Sequence, residues 1–256
     1  MNRRRKGRRR RVRAGLILVL AALSAGLFLM GAGQGGGVQA TLAAVPPQTA
    51  APVPTVPPTP DPEPEVPADD WRLTLANPWT PLPEGYEPAL TRLKNGHAVD
   101  ERCYPALQEM LDACRAAGLS PVICSSYRTQ EKQEQLFQRQ VDGLLARGYA
   151  PDAALSEAAK AVAAPGTSEH QLGLAVDIVD LNNQNLNESQ EDTAVQKWLM
   201  EHCWEYGFIL RYPNDKRKLT GIIYEPWHYR YVGKDAAREI YETGVCLEEY
   251  LKGRDG

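Results

Sequence analysis

The chain has 256 residues, with 29 basic and 32 acidic side chains and a formal net charge of −3. The first 13 residues hold nine bases and no acid, whereas from Trp71 onward 27 acids outnumber 20 bases. A nucleic-acid-binding domain needs a basic surface, so this acidic region argues against that class, while the 43% hydrophobic content is that of a globular domain.

An apolar stretch without charged residues follows the basic residues 1–13, and we interpret residues 14–33 as a transmembrane anchor. A helix needs roughly 17–25 residues to cross a bilayer core. The preceding Lys and Arg residues predict a cytoplasmic tail and an extracytoplasmic remainder. Residues 34–70 are rich in Gly and then in Pro, which predicts a disordered linker. The alternative is a signal peptide whose cleavage releases a secreted protein.

Residues 71–256 are predicted to form one globular domain. Hydrophobic spacing predicts helices over 100–117, 129–147 and about 152–164, with a strand at 121–125. It then predicts a strand at 174–179, a loop at 181–191, a helix at 193–206, strands at 207–212, 221–224 and 227–232, and a helix at 234–243. Helices that alternate irregularly with short strands indicate an α+β fold, in which helices surround a small antiparallel sheet.

Two of the four histidines lie in unusual sequence surroundings. His170 precedes a predicted strand in which Asp177 lies among apolar residues, and a carboxylate buried there must be paired or bind a metal. His228 opens another strand, three residues after Glu225. Two imidazoles and a carboxylate are a ligand set typical of catalytic Zn²⁺, and Glu225 is a candidate base for the water at the fourth position. Glu169 is adjacent to His170, but neighbouring side chains on an extended chain point apart, so we assign it no catalytic role.

The pattern S-x-H-x-x-G-x-A-x-D at 168–177, followed by E-x-W-H at 225–228, resembles the VanY-type D-alanyl-D-alanine carboxypeptidases of the zinc-dependent LAS peptidases. The segment 125–133 is similar to the same family's S-x-Y-R…Q motif, and the resemblance covers about residues 100–251. It implies Zn²⁺ bound by His170, Asp177 and His228, Glu225 as catalytic base, Arg128 as a catalytic and substrate-binding residue, and Gln133 and Ser168 as substrate contacts.

The resemblance also implies the LAS or hedgehog-like α+β fold and a D,D-carboxypeptidase that removes the terminal D-Ala from peptidoglycan pentapeptide stems. An L,D-carboxypeptidase or an endopeptidase acting on the same stems shares these motifs and remains an alternative. An inactive wall-binding module is the other alternative, although such a module usually lacks a metal ligand or the base. We expect a monomer whose partners are peptidoglycan stem peptides and, through its N-terminal helix, the membrane.

Overall fold

A computed structural model describes residues 70–83 and 85–254. The predicted basic tail, the transmembrane anchor and nearly all of the predicted linker lie outside these residues. Within them, no helix combines the length and the apolar character that crossing a membrane requires.

A four-stranded antiparallel sheet forms the centre of the described domain. Its strands lie in the order β3 (Pro121–Ser125), β4 (Ala175–Asp180), β6 (His228–Tyr231) and β5 (Phe208–Leu210). A separate antiparallel hairpin joins β1 (Leu90–Arg92) to β2 (Ala98–Asp100). The α+β prediction is therefore confirmed, with two small antiparallel sheets.

Seven α-helices surround the sheets in the described part of the chain. They are α1 (Tyr104–Ala116), α2 (Gln130–Ala146), α3 (Pro151–Ala161), α4 (Ala194–His202), α5 (Arg217–Thr220), α6 (Lys234–Thr243) and α7 (Leu247–Arg254). Thr129 caps α2 and Thr193 caps α4, because each hydroxyl accepts a bond from the backbone N–H three residues later, which the first turn would otherwise leave unpaired.

The main core lies between the sheet and helices α1 and α4. Its fully buried members include Leu107 and Met110 of α1, Leu199 of α4, and Val176 and Ile178 of β4. Side chains alternate along a strand, so Asp177, which lies between Val176 and Ile178, points to the opposite face of the sheet. That face carries the cleft described below.

The structure corrects three predicted elements. The strand predicted at 221–224 is absent: Gly221, at φ +77°, ends α5, and the Ile223 N–H bonds the Lys160 carbonyl instead of a neighbouring strand. Helix α1 begins at Tyr104, because residues up to Asp100 pair in β2. The helix predicted at 193–206 is α-helical only to His202 and continues as a 3₁₀ turn.

Helix α3 also differs from its prediction, and two elements were not predicted. The helix begins at Pro151, whose ring presets the φ angle of a first helical turn, and it ends at Ala161. Asp152 lies inside that turn, where its charge favours the positive end of the helix dipole, and Ala150 occupies the cap position. The β1–β2 hairpin and helix α7 were missed by the sequence analysis.

Candidate metal centre and active site

The strand register brings Asp177 and His228 together. In the antiparallel pairing of β4 with β6, Asp177 lies directly opposite His228. His170 approaches from the 3₁₀ helix Glu169–Leu172, which immediately precedes β4. The His228 Nδ1 lies 3.2 Å from Asp177 Oδ1, and the His170 Nε2 lies 3.3 Å from Asp177 Oδ2. One potential ligand atom from each residue lies within 4.8 Å of the others, so the three predicted ligands converge on one point.

The hydrogen bond of His170 fixes which of its nitrogens faces this point. Its Nδ1 lies 2.9 Å from the Ser126 carbonyl oxygen, which can only accept, so Nδ1 carries the proton and donates. The Nε2 lone pair is then directed at Asp177. Burial lowers the pKa of His170 to about 4, and the nearby charge of Arg128 adds to this effect. At neutral pH the ring is therefore uncharged, as a metal ligand must be.

Asp177 has the negative charge and the available carboxylate oxygen that a cation site requires. Burial alone would raise the pKa of this carboxyl, but the two histidines hold it well below its usual range. Its Oδ1 is buried and accepts no hydrogen bond. A buried, ionised carboxylate beside two imidazole nitrogens fits the donor set of a catalytic zinc ion. His170, Asp177 and His228 are thus the residues that would hold the metal.

Glu225 lies in the turn that leads into β6, next to the three convergent residues. The turn is set by backbone bonds, from the Glu225 N–H to the Tyr212 carbonyl and from the His228 N–H to the Glu225 carbonyl. Its Oε2 lies 3.6 Å from the Nδ1 of His228. Burial raises the pKa of Glu225 to about 8, against the opposing charges of His228 and Arg128. A carboxyl that titrates near neutrality can both accept and return a proton at physiological pH.

Arg128 presents its guanidinium on the other side of Asp177, just before α2. Its Nη2 donates to Asp177 Oδ2 at 3.2 Å and to the Ser125 hydroxyl at 2.8 Å. Its Nη1 donates to Gln133 Oε1 at 3.3 Å. The side chain keeps 18% of its surface exposed, so the oriented fork can still bind an anionic group in the cleft.

These side chains line a cleft of about 370 Å³. The remaining walls include Ser168, Tyr212 and Trp227. Ser168 is buried in the cleft wall, and its contact with the substrate stays a prediction. Gln133, which was predicted to contact the substrate, lies behind Arg128 instead: it is fully buried, and its Nε2 donates to the Ala163 carbonyl at 2.7 Å. Its position is that of a residue that orients Arg128.

A buried ionic network beneath the metal ligands was missed by the sequence analysis. Glu169 does not point away from the site, because the chain here is a 3₁₀ helix rather than an extended segment. Its Oε1 accepts bonds from Arg211 at 2.7 Å and from Arg230 at 2.8 Å, and all three side chains are fully buried. Two arginines in otherwise apolar strand segments were the available signal, since a buried guanidinium needs a carboxylate partner.

His228 contacts this network on the side away from Asp177. Its Nε2 lies 3.6 Å from Glu169 Oε2. Burial alone would lower the pKa of His228, but the carboxylates of Asp177 and Glu169 raise it to about 9. Without a metal, His228 is therefore protonated at pH 7.

Comparisons with known proteins find a family and several relatives that this chain resembles. The sequence model of the VanY family, described as D-alanyl-D-alanine carboxypeptidase, matches residues 96–234. A D-alanyl-D-alanine carboxypeptidase of Enterococcus faecalis is 48% identical over 182 residues, which cover 71% of this chain and 66% of that relative. The alignment therefore spans slightly less than two thirds of that relative's length.

Two solved structures are similar to this chain in both sequence and fold. The vancomycin resistance D,D-pentapeptidase VanY from a VanB-type cassette, a glutamate-to-alanine mutant in complex with Zn(II), is 47% identical with a TM-score of 0.65. The match covers 71% of this chain and 99% of that chain. The LD-carboxypeptidase LdcB is 35% identical, has a TM-score of 0.62, and is matched over 72% of this chain and 88% of its own. By its sequence and its fold, the chain belongs to the VanY family of D-alanyl-D-alanine carboxypeptidases.

Proposed function

We propose that this protein is a zinc-dependent D,D-carboxypeptidase that removes the C-terminal D-Ala from peptidoglycan pentapeptide stems. The observation that carries the proposal is the convergence of His170, Asp177 and His228 within 4.8 Å at the cleft that also holds Glu225 and Arg128. Family membership and the Zn(II) complex of a relative with 47% identity support the choice of metal and reaction.

Zinc held by these three residues would polarise the scissile carbonyl and lower the pKa of a water molecule. Glu225 is the group placed to take the proton of the attacking water, since its carboxylate lies beside His228 in the same cleft. The same carboxyl then donates that proton to the nitrogen of the departing D-Ala.

Arg128 provides the fixed positive charge that the substrate requires. A carboxypeptidase must recognise a free carboxylate, and negative charge also develops on the scissile carbonyl oxygen during attack. The guanidinium, held by Ser125 and Gln133, donates to either group without reorganising. Ser168, on the cleft wall, contacts the terminal residue of the stem.

The test is the release of D-Ala from two purified stems by the full-length protein loaded with zinc. One stem is a pentapeptide ending in D-Ala-D-Ala, and the other is a tetrapeptide ending in a single D-Ala. Release from the pentapeptide that stops with EDTA and returns with zinc is the expected result. Release from the tetrapeptide alone makes the enzyme an L,D-carboxypeptidase, and release from neither refutes a carboxypeptidase function.

The N-terminal sequence supports a location for this reaction. We propose that residues 1–13 remain in the cytoplasm, that residues 14–33 span the membrane once, and that the linker 34–70 carries domain 71–256 outside as a monomer. Secretion after signal-peptide cleavage is the alternative. Membrane fractionation decides between them, because an anchored protein sediments with the membranes and a cleaved one is found in the medium.

A further inference from the structure

Two buried polar atoms face each other beneath the metal ligands without a hydrogen bond. They are the Oε2 of Glu169 and the Nε2 of His228, which lie 3.6 Å apart. The third such atom in the described residues is Asp177 Oδ1, which the metal would satisfy. An unpaired buried polar atom is costly, so the facing pair requires an explanation of its own.

The orientation of His228 provides that explanation. Its Nδ1 faces Asp177 Oδ1 at 3.2 Å, on the side where the three ligand residues converge. A neutral imidazole that binds a metal through Nδ1 carries its proton on Nε2. The carboxylate oxygen facing that Nε2 is Glu169 Oε2. We infer that Glu169 is a positioning residue, which accepts the Nε2–H of His228 and so keeps this ligand's Nδ1 directed at the metal.

The two oxygens of Glu169 have separate partners. Arg211 and Arg230 both donate to Oε1, which leaves Oε2 free for His228. The arginines are themselves fixed from outside the site. Arg211 makes a bidentate pair with Glu248 of α7, at 2.9 and 2.6 Å, and Arg230 donates to the Arg72 and Thr74 carbonyls. The carboxylate therefore cannot turn away without breaking buried, charge-assisted bonds.

Because the two oxygens of Glu169 have different partners, Glu169→Gln is an informative substitution. An amide has a single acceptor oxygen, so one orientation points its NH₂ group at the two arginines and the other points it at the His228 Nε2–H. Either orientation sets donors against donors at one position. Glu248→Gln is the matched control: it perturbs the same network at Arg211, but Glu248 is paired with Arg211 and Asn77.

The experiment measures the zinc affinity of the full-length protein and both variants by competition with a chromophoric chelator at pH 7.5. The inference rests on the proposed metal site, so wild-type protein that binds no zinc contradicts the proposed function itself. We expect Glu169→Gln to bind zinc about 10–100-fold more weakly, the usual cost of losing such an outer partner, and Glu248→Gln to stay close to wild type. Equal affinity of Glu169→Gln and wild type overturns the inference, as does an equal loss in Glu248→Gln, which shows a structural role only.

A measurement on the wild-type protein covers the case in which Glu169→Gln does not fold. Long-range ¹H–¹⁵N spectra of the zinc-loaded protein report which ring nitrogen of each histidine carries the proton. We expect His228 to be protonated on Nε2, with slow exchange of that proton, and His170 to be protonated on Nδ1. A proton on Nδ1 of His228, or an Nε2–H that exchanges as freely as a solvent-exposed one, overturns the inference.

Discussion

Glu225→Gln is expected to slow turnover strongly, retain zinc and stabilise the metal-free protein. Glu225 is buried, and its pKa is raised from 4.5 to about 8. Between these two pH values the folded protein holds a proton that the unfolded chain releases, so stability falls as the pH rises. The loss is about 1.4 kcal/mol per pH unit, which reaches about 3 kcal/mol at pH 7. Glutamine has the same shape and no proton to gain, so the variant escapes this loss.

The activity of the same variant follows from the proposed proton transfers. General acid–base catalysis contributes about 10²–10⁴-fold, so kcat is expected to fall by that factor, or about 3–5 kcal/mol in the barrier. Zinc content should remain that of the wild type, because the three convergent ligand residues do not include Glu225.

The assay combines urea denaturation of the EDTA-treated proteins at pH 5 and pH 7 with D-Ala release and zinc analysis of the loaded proteins. The stabilisation should be up to about 3 kcal/mol at pH 7 and should shrink towards pH 4.5. Glu239→Gln on the exposed face of α6 is the matched control, and its stability should change by less than about 0.5 kcal/mol. Full turnover by zinc-loaded Glu225→Gln refutes the assignment of the base, and a variant less stable than wild type at pH 7 refutes the stability argument.

Three further predictions concern the residues around the cleft. Arg128→Lys keeps the positive charge but loses the planar guanidinium, so kcat/KM should fall about 10²–10³-fold while zinc is retained. A kcat/KM within a few-fold of wild type in steady-state assays would contradict this prediction. Gln133→Leu leaves the Ala163 carbonyl and an Arg128 donor without a partner, so the free energy of unfolding should fall by about 1–3 kcal/mol and KM should rise. An unchanged urea midpoint would contradict this prediction. His228 is protonated at pH 7 in the metal-free protein and must be neutral to bind zinc, so zinc binding should release about one proton and tighten as the pH rises towards 9. Calorimetry in buffers of different ionisation enthalpy measures this proton release. A zinc affinity that is constant from pH 6 to 8 would contradict the prediction.

The parts of the fold with a strong local pattern were predictable from the sequence. The strand Pro121–Ser125 and the helix Lys234–Thr243 have the predicted bounds, because an apolar run and a helical stripe ended by Gly244 are unambiguous locally. The hairpin of β1 and β2 carries no such pattern, since each strand has three residues. It is held by tertiary contacts such as the bond from the Asp100 N–H to the Gly173 carbonyl. Helix α7 has eight residues and packs through Leu247 and Tyr250, which is too short a stripe to recognise alone.

The site residues could likewise be predicted only where a short sequence motif identifies them. Motif spacing identified the residues that converge at the metal position, because the chemistry restricts which side chains can occupy those positions. The role of Glu169 depends instead on Arg211 and Arg230, which lie 42 and 61 residues further along the chain. Gln133 differs for a related reason: the resemblance implied a substrate contact, and only the bond to the Ala163 carbonyl shows that the side chain is buried. Long-range pairing of buried polar groups is not encoded in any one segment.

X-ray diffraction from zinc-loaded crystals, recorded on both sides of the zinc absorption edge, is the decisive test of the metal site. We expect one anomalous peak at full occupancy, about 2.0–2.2 Å from the Nε2 of His170, the Nδ1 of His228 and a carboxylate oxygen of Asp177. Glu225 should lie outside this ligand shell and face the open coordination position. A peak coordinated by Glu225 in place of one of these ligands, or no peak at this cleft in an active crystal, would contradict the proposed metal site.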